Sequence, residues 1–260
     1  MSGPSLAELR AAGQPDSVTA RRNEEHWAGR RYMRRLSPYG TWVFARLGWS
    51  PNAVTWLMIV IGVGAGAVAA VGGLATAVAA ALMIQVYLLL DCSDGELARW
   101  SRRTSVTGIY LDRVGHYLAE TALLAGLGIR AQGDYALYGG YVSIGLAAAI
   151  CAILIKAETD NVIVARAKAG LPGEPAAGAD AALEPAHAGL ARARRLGSAL
   201  RLHRIIQAVE LSLLIVAAAV IDALRGGLAA TRVLTVACLA VGVVMVAAHL
   251  AAVLASRRLG

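Results

Sequence analysis

Long apolar runs alternate with short polar breaks along this chain. Six runs of roughly 20 residues, the length that crosses a bilayer's hydrocarbon core, fall at about 52–72, 74–94, 106–129, 135–157, 204–224 and 231–255. Ser50-Pro51 opens the first with a hydroxyl at the N-cap and a proline in the first turn, a helix start. Just upstream, RRYMRRLSPYGTWVFARLGW sets Tyr39, Trp42, Val43 and Leu47 among arginines. That is the pattern of a short helix lying in the membrane interface; a soluble capping helix is the plainer alternative. The fourth run continues as a polar helix through KAETDNVIVARAKAG. The predicted fold is an all-α integral membrane protein, with six transmembrane helices and an N-terminal interfacial amphipathic helix. Residues 1–36 read as a polar, partly disordered segment and 37–260 as the membrane domain. Within that domain the Pro-, Gly- and Ala-rich stretch at about 170–195 reads as a flexible cytosolic loop.

Composition agrees with the pattern. The chain is 57% hydrophobic but only 5% aromatic, too apolar for an ordinary soluble domain. Its formal net charge of +8 is carried by residues flanking the apolar runs, which points to anionic lipid head groups and topology rather than nucleic acid. Eight arginines precede the first run, Arg99, Arg102 and Arg103 separate the second from the third, and a further basic set separates the fourth from the fifth. The opposite loops carry only Arg130, Arg225 and Arg232. By the positive-inside rule both termini and the polar cluster described next are cytoplasmic, in a multi-pass protein of the cell membrane. Cys92, Cys151 and Cys238 show no disulfide or zinc spacing, and the polar first 50 residues hold no signal-peptide core.

Residues 88–120, LLLDCSDGELARWSRRTSVTGIYLDRVGHYLAE, place charge where membrane helices should be apolar. Such residues are costly there and mark function. Asp91 and Asp94 lie three apart on one helix, Asp112 and His116 four apart on the next, and each pair shares a face. Gly108, four before Asp112, lets a ligand approach the backbone. Two such helices side by side bring three carboxylates and an imidazole together at the cytoplasmic edge. Clustered carboxylates repel one another unless a cation neutralises them. An oxygen-rich site suits Mg²⁺ or Mn²⁺, ions that commonly serve reactions at phosphate. Arg99 beside them is a natural phosphate clamp.

Asp91-x2-Asp94-Gly95-x2-Ala98-Arg99-x8-Gly108-x3-Asp112-x3-His116 resembles the signature of the CDP-alcohol phosphotransferase family, in which the last position is a fourth aspartate. Pro51-Asn52-x2-Thr55 is similar to that family's short motif at the start of its first membrane helix. The resemblance implies a membrane enzyme, usually a homodimer. It would transfer a substituted phosphate from a CDP-linked donor to an alcohol acceptor, releasing CMP, in phospholipid biosynthesis. CDP-diacylglycerol is the first choice of donor; a small CDP-alcohol or CDP-polyol donating to a lipid alcohol is the alternative. By position, Asp91, Asp94 and Asp112 would bind divalent metal. Asn52, Thr55, Gly95, Ala98, Arg99 and Gly108 would surround the nucleotide. The fourth acidic position would deprotonate the attacking hydroxyl and help hold metal.

His116 departs from that pattern, and three readings follow. It replaces the aspartate as base or as a ligand, imidazole being poor for Mg²⁺ but competent for Mn²⁺ or Zn²⁺. Or the protein binds a CDP-lipid without turnover. Or the histidine is structural, satisfied by a neighbouring carbonyl. Glu120, four residues further on, is expected to hold the imidazole in one tautomer; alternatively it pairs with Gln207 or Glu210. Lys156, Arg166, Arg201 and Arg204 bracket the cytosolic loop and are candidates for acceptor binding, although topology alone explains basic residues there. From another class, a transporter would also use intramembrane carboxylates. The clustering of these acids at one membrane face speaks against it.

Overall fold

Helix starts fall where the sequence supplies caps. In the computed structural model, which describes residues 4–15, 32–172, 205–255 and 259, the Ser50 hydroxyl accepts from the Ala53 amide at 3.2 Å and Pro51 fills the first turn. Ser105 caps the third long helix in the same way, accepting from Gly108 N at 3.0 Å. Asp222 ties the last two helices together. Its carboxylate accepts from the Ala230 and Thr231 amides at 2.7 and 3.0 Å and from the Thr231 hydroxyl at 2.6 Å.

All regular structure among the described residues is helical: α1 Leu6–Gly13, α2 Arg34–Arg46, α3 Pro51–Ala70, α4 Leu74–Trp100, α5 Val106–Gln132, α6 Gly140–Lys168, α7 Ala208–Arg225 and α8 Ala229–Leu254. Four of them, α3, α4, α6 and α8, are long and apolar enough to cross a membrane. These helices mark a membrane protein. The other two expected spans form helices at the expected places, but α5 carries Asp112, Arg113, Glu120 and Arg130, and α7 carries Glu210, Asp222 and Arg225, which dilute their apolar runs. The fourth apolar run does continue into its polar stretch, as one helix to Lys168.

Small residues set the packing. A Cβ on Gly126 would lie 2.2 Å from the Gly66 carbonyl oxygen, and one on Gly66 would lie 2.4 Å from backbone atoms of Ala122. The α3 and α5 backbones therefore touch, as they do in glycine-mediated membrane packing. Gly128 and Gly145 do the same for α5 and α6, a Cβ on Gly128 meeting the Gly145 Cα at 3.0 Å. The close α3–α5 approach brings the N-terminal end of α3 beside the polar residues of α5. Leu123, Leu124, Leu127, Ile84, Leu211 and Ile215 fill the core farther along.

Within the N-terminal segment expected to be polar and partly disordered, residues Leu6–Gly13 form a helix, and residues 16–31 lie outside the described residues. α1 is a formed helix because Ser5 and Glu8 make a reciprocal capping box: Glu8 N donates to Ser5 Oγ at 3.2 Å, and Ser5 N to Glu8 Oε2 at 2.9 Å. Hydrogen bonds from the Ser5 backbone amide and hydroxyl hold the Glu8 carboxyl below its usual pKa. Leu9 is fully buried. The polar face of α2 turns inward, with Ser37 and Thr41 buried, while Leu36, Tyr39, Val43 and Leu47 are exposed on the outside. An outward apolar face is what a helix resting on lipid requires. The stretch at about 170–195 expected to form a flexible loop lies, beyond Pro172, outside the described residues.

Candidate active site

α4 runs without a break through the first half of the motif to Trp100, so Asp91 and Asp94 project from a rigid rod. α5, capped at Ser105, delivers Asp112 and His116 from its second and third turns. The His116 Nε2 lies 3.2 Å from Asp91 Oδ1 and 3.5 Å from Asp112 Oδ1. One atom from each of these three side chains falls within 4.8 Å of the others. That spacing suits a single divalent ion, and two carboxylates with an imidazole favour Mn²⁺ or Zn²⁺ over Mg²⁺.

Asp94 stands outside that trio. It sits about 4.5 Å farther along the α4 axis than Asp91 and accepts from the Thr55 hydroxyl at 2.6 Å. Thr55 is itself anchored to the Pro51 carbonyl at 3.1 Å. Asp94 is buried but still faces the same cavity as Asp91 and Asp112.

That cavity has a volume of about 450 Å³. Its walls include all six residues expected around the nucleotide: Asn52, Thr55, Gly95, Ala98, Arg99 and Gly108. Two of the glycines have local reasons. A Cβ on Gly95 would meet the Arg99 Nη1 at 3.1 Å, so the guanidinium lies flat over it. A Cβ on Gly108 would meet the Asn52 Oδ1 at 3.0 Å. Arg34 and Arg103 also line the cavity, so three arginines and three aspartates share its walls. In the sequence these two arginines stand out only by topology.

His116 is not among the lining residues; it abuts the cavity through Asp91 and Asp112. Its other nitrogen, Nδ1, is 2.7 Å from the Tyr87 hydroxyl. Tyr87 is buried, four residues before Asp91 and so on the same face of α4. That spacing was the signal by which it could have been found. The partner of Nδ1 is thus a hydroxyl, not the neighbouring carbonyl that a structural histidine was expected to find.

Glu120 does not hold the imidazole. Both ring nitrogens are engaged elsewhere, and the Glu120 carboxylate, nearly buried, pairs with Lys156 on α6 at 3.1 Å. Spacing along α5 put Glu120 and His116 on one face, but a cation from the neighbouring helix is the stronger partner for a buried carboxylate. Lys156 is thereby committed to Glu120 and does not line the cavity. Arg166 does not line it either, and its Nε donates to the Pro172 carbonyl at 2.9 Å. Arg201 and Arg204 lie outside the described residues.

Three aspartates and three arginines thus line one cavity in a bundle of apolar helices, and Asp91, Asp112 and His116 lie close enough together to hold one metal ion. Residues 49–177 match the model of the CDP-alcohol phosphatidyltransferase family. A comparison with curated proteins found no match. That family passes a phosphate group from a CDP-alcohol to an acceptor, and the match supports a membrane transferase of phospholipid synthesis.

Proposed function

We propose that the protein transfers a substituted phosphate from CDP-diacylglycerol to a small alcohol, with a divalent metal and with release of CMP. The observation that carries this reading is that Asp91, Asp94 and Asp112 line one cavity together with Arg34, Arg99 and Arg103. A diphosphate needs both signs of charge, arginines for its own oxygens and acids for the cation it brings. Ile109 lines the cavity, and Val106 and Tyr110 lie exposed beside it. Exposed apolar groups on the helix that lines the cavity support a lipid-linked donor over a small CDP-alcohol. The proposal includes six spans, a cytoplasmic site and a homodimer, as the arginine distribution and the family suggest.

The acceptor oxygen attacks the β-phosphorus, and the bond from that phosphorus to the oxygen bridging the two phosphates breaks. The electron pair leaves with CMP. The hydroxyl proton passes to His116 Nε2. In the tautomer whose Nδ1–H donates to the Tyr87 oxygen, the Nε2 lone pair faces the carboxylates, and Asp91 and Asp112 stabilise the imidazolium that forms. Nε2 has one lone pair, so His116 is base or ligand but not both, and we assign it the proton. Asp91 and Asp112, with Asp94 on the same cavity, would hold the cation, whose charge stabilises the departing CMP. Arg99 clamps phosphate.

The test is CMP release by purified protein in nanodiscs containing CDP-diacylglycerol and pooled alcohols, with Mg²⁺ and Mn²⁺ in separate arms. His116→Ala is expected to abolish release while still binding Mn²⁺, and His116→Asp to retain release. An alanine variant with full activity refutes the role of the histidine. An alanine variant that no longer binds Mn²⁺ makes it a ligand instead. No release from wild type with CDP-diacylglycerol, but release with a small CDP-alcohol, moves the donor to the alternative class.

A further inference from the structure

Two of the three cavity arginines are braced by a part of the chain far from the signature. Arg99 Nε donates to the Gly13 carbonyl, at the end of α1, at 2.7 Å. Its terminal nitrogens lie over Gly95 in the cavity wall. Among the described residues no protein acceptor takes them, so they remain available to a ligand. The guanidinium plane is thus held from behind by one element and supported below by another. Next to Gly13, the Gln14 side-chain amide donates to the Arg34 carbonyl at 2.8 Å. Arg34 is the second cavity arginine.

α1 has a definite seat for this task. Gly13 packs on Glu96 so closely that a Cβ there would lie 3.0 Å from the Glu96 Cβ and 3.4 Å from its Cα. Glu96 is fully buried. Its carboxylate accepts from Gln14 Nε2 at 2.7 Å, Ser37 Oγ at 2.5 Å and Thr41 Oγ1 at 2.8 Å. A buried carboxylate is costly unless its oxygens are satisfied, so α1, α2 and α4 are tied at one point. Glu96 lies two residues after Asp94 and three before Arg99. A seat for α1 is therefore built into the helix that carries the site.

We infer that α1 is a positioning element for nucleotide binding: the Gly13 carbonyl sets the Arg99 guanidinium, and Gln14, through Glu96 and the Arg34 backbone, keeps α1 in register. This rests on the reading of the cavity as a CDP site. Residues 6–14 lie outside the stretch matched by the family, so the brace is argued from this chain alone. It predicts that the first helix adjusts affinity for the diphosphate without entering the chemistry.

The experiment measures equilibrium binding of CDP with Mn²⁺ to the full-length protein, with no acceptor present and no turnover required. Gly13→Val lifts α1 from Glu96, and Gln14→Ala removes its polar tether; the second substitution serves if the first does not fold. Arg99→Ala and the double variant Gln14→Ala/Arg99→Ala complete a cycle. Each α1 substitution is expected to weaken CDP binding about tenfold, the scale of one hydrogen bond to a charged group. In the Arg99→Ala background Gln14→Ala is expected to cost little more, because the group it positions has gone. Unchanged CDP affinity in both α1 variants overturns the inference. So does an equal loss with and without Arg99, which would make α1 a general support of the fold. Wild-type protein that binds no CDP overturns the cavity reading, and this inference with it.

Discussion

Tyr87→Phe isolates what holds His116. The substitution removes one oxygen, which lies 2.7 Å from Nδ1. The ring should not move. A Cβ at Gly62 would already meet the Tyr87 Cδ2 at 2.8 Å, and the ring packs within a cluster that includes Met58, Ile59 and Ala119. The perturbation is therefore confined to a hydrogen bond. A half-buried imidazole nitrogen left without a partner costs toward the lower end of about 1–3 kcal/mol. Loss of the partner that fixes a functional histidine lowers activity about 10–100-fold, which corresponds to about 1.4–2.8 kcal/mol of transition-state stabilisation. The two estimates agree, so most of the bond's worth is expected to appear in kcat. Tyr87 does not line the cavity, so the donor KM should hold. Steady-state CMP release in nanodiscs, with a thermal melt beside it, separates these terms. Unchanged kcat would refute the role given to Tyr87. A donor KM that rises while kcat holds would place Tyr87 in binding instead.

Two further outcomes test the frame around the site. Gly126→Val forces a side chain against the Gly66 carbonyl and should cost more than the roughly 1–3 kcal/mol of ordinary overpacking, seen as lost expression or a lowered melting temperature. Gly140→Ala, where an added Cβ meets nothing within 4 Å, is the matched control and should melt like wild type. Lys156→Met leaves the Glu120 carboxylate buried and unpaired, with an expected loss of about 3–5 kcal/mol. Adding Glu120→Gln should recover much of it; melts that show no recovery would refute the pairing.

Much of the site was legible because it obeys helix geometry. Spacings of three and four predicted that Asp91 would face Asp112 and His116, and Ser50-Pro51 marked where α3 begins. The cavity walls follow from the same spacing, since Gly95, Ala98 and Arg99 continue the α4 face. Three things were not legible, for different reasons. Tyr87 lies in an apolar run where a tyrosine reads as core, and only its distance from Asp91 hints at more. Glu96 sits at a variable position of the signature, and its donors Gln14, Ser37 and Thr41 come from two other helices. Glu120 was given to His116 because both lie on one face of α5, but side chains choose partners in three dimensions, and Lys156 approaches from α6. Spacing along one helix names the face and leaves the partner across it open.

α4 has 27 residues and is about 40 Å long at 1.5 Å per residue, while a bilayer's hydrocarbon core is about 30 Å thick. Standing upright, the helix would reach some two turns beyond the oil, and its polar end holds Asp94, Arg99 and the seat of α1. The same rod is anchored at its far end by apolar residues that belong in lipid. Membrane thickness is then a mechanical input: a thicker leaflet draws the rod inward or tilts it, and the acids, the arginine and the brace travel with it as one piece.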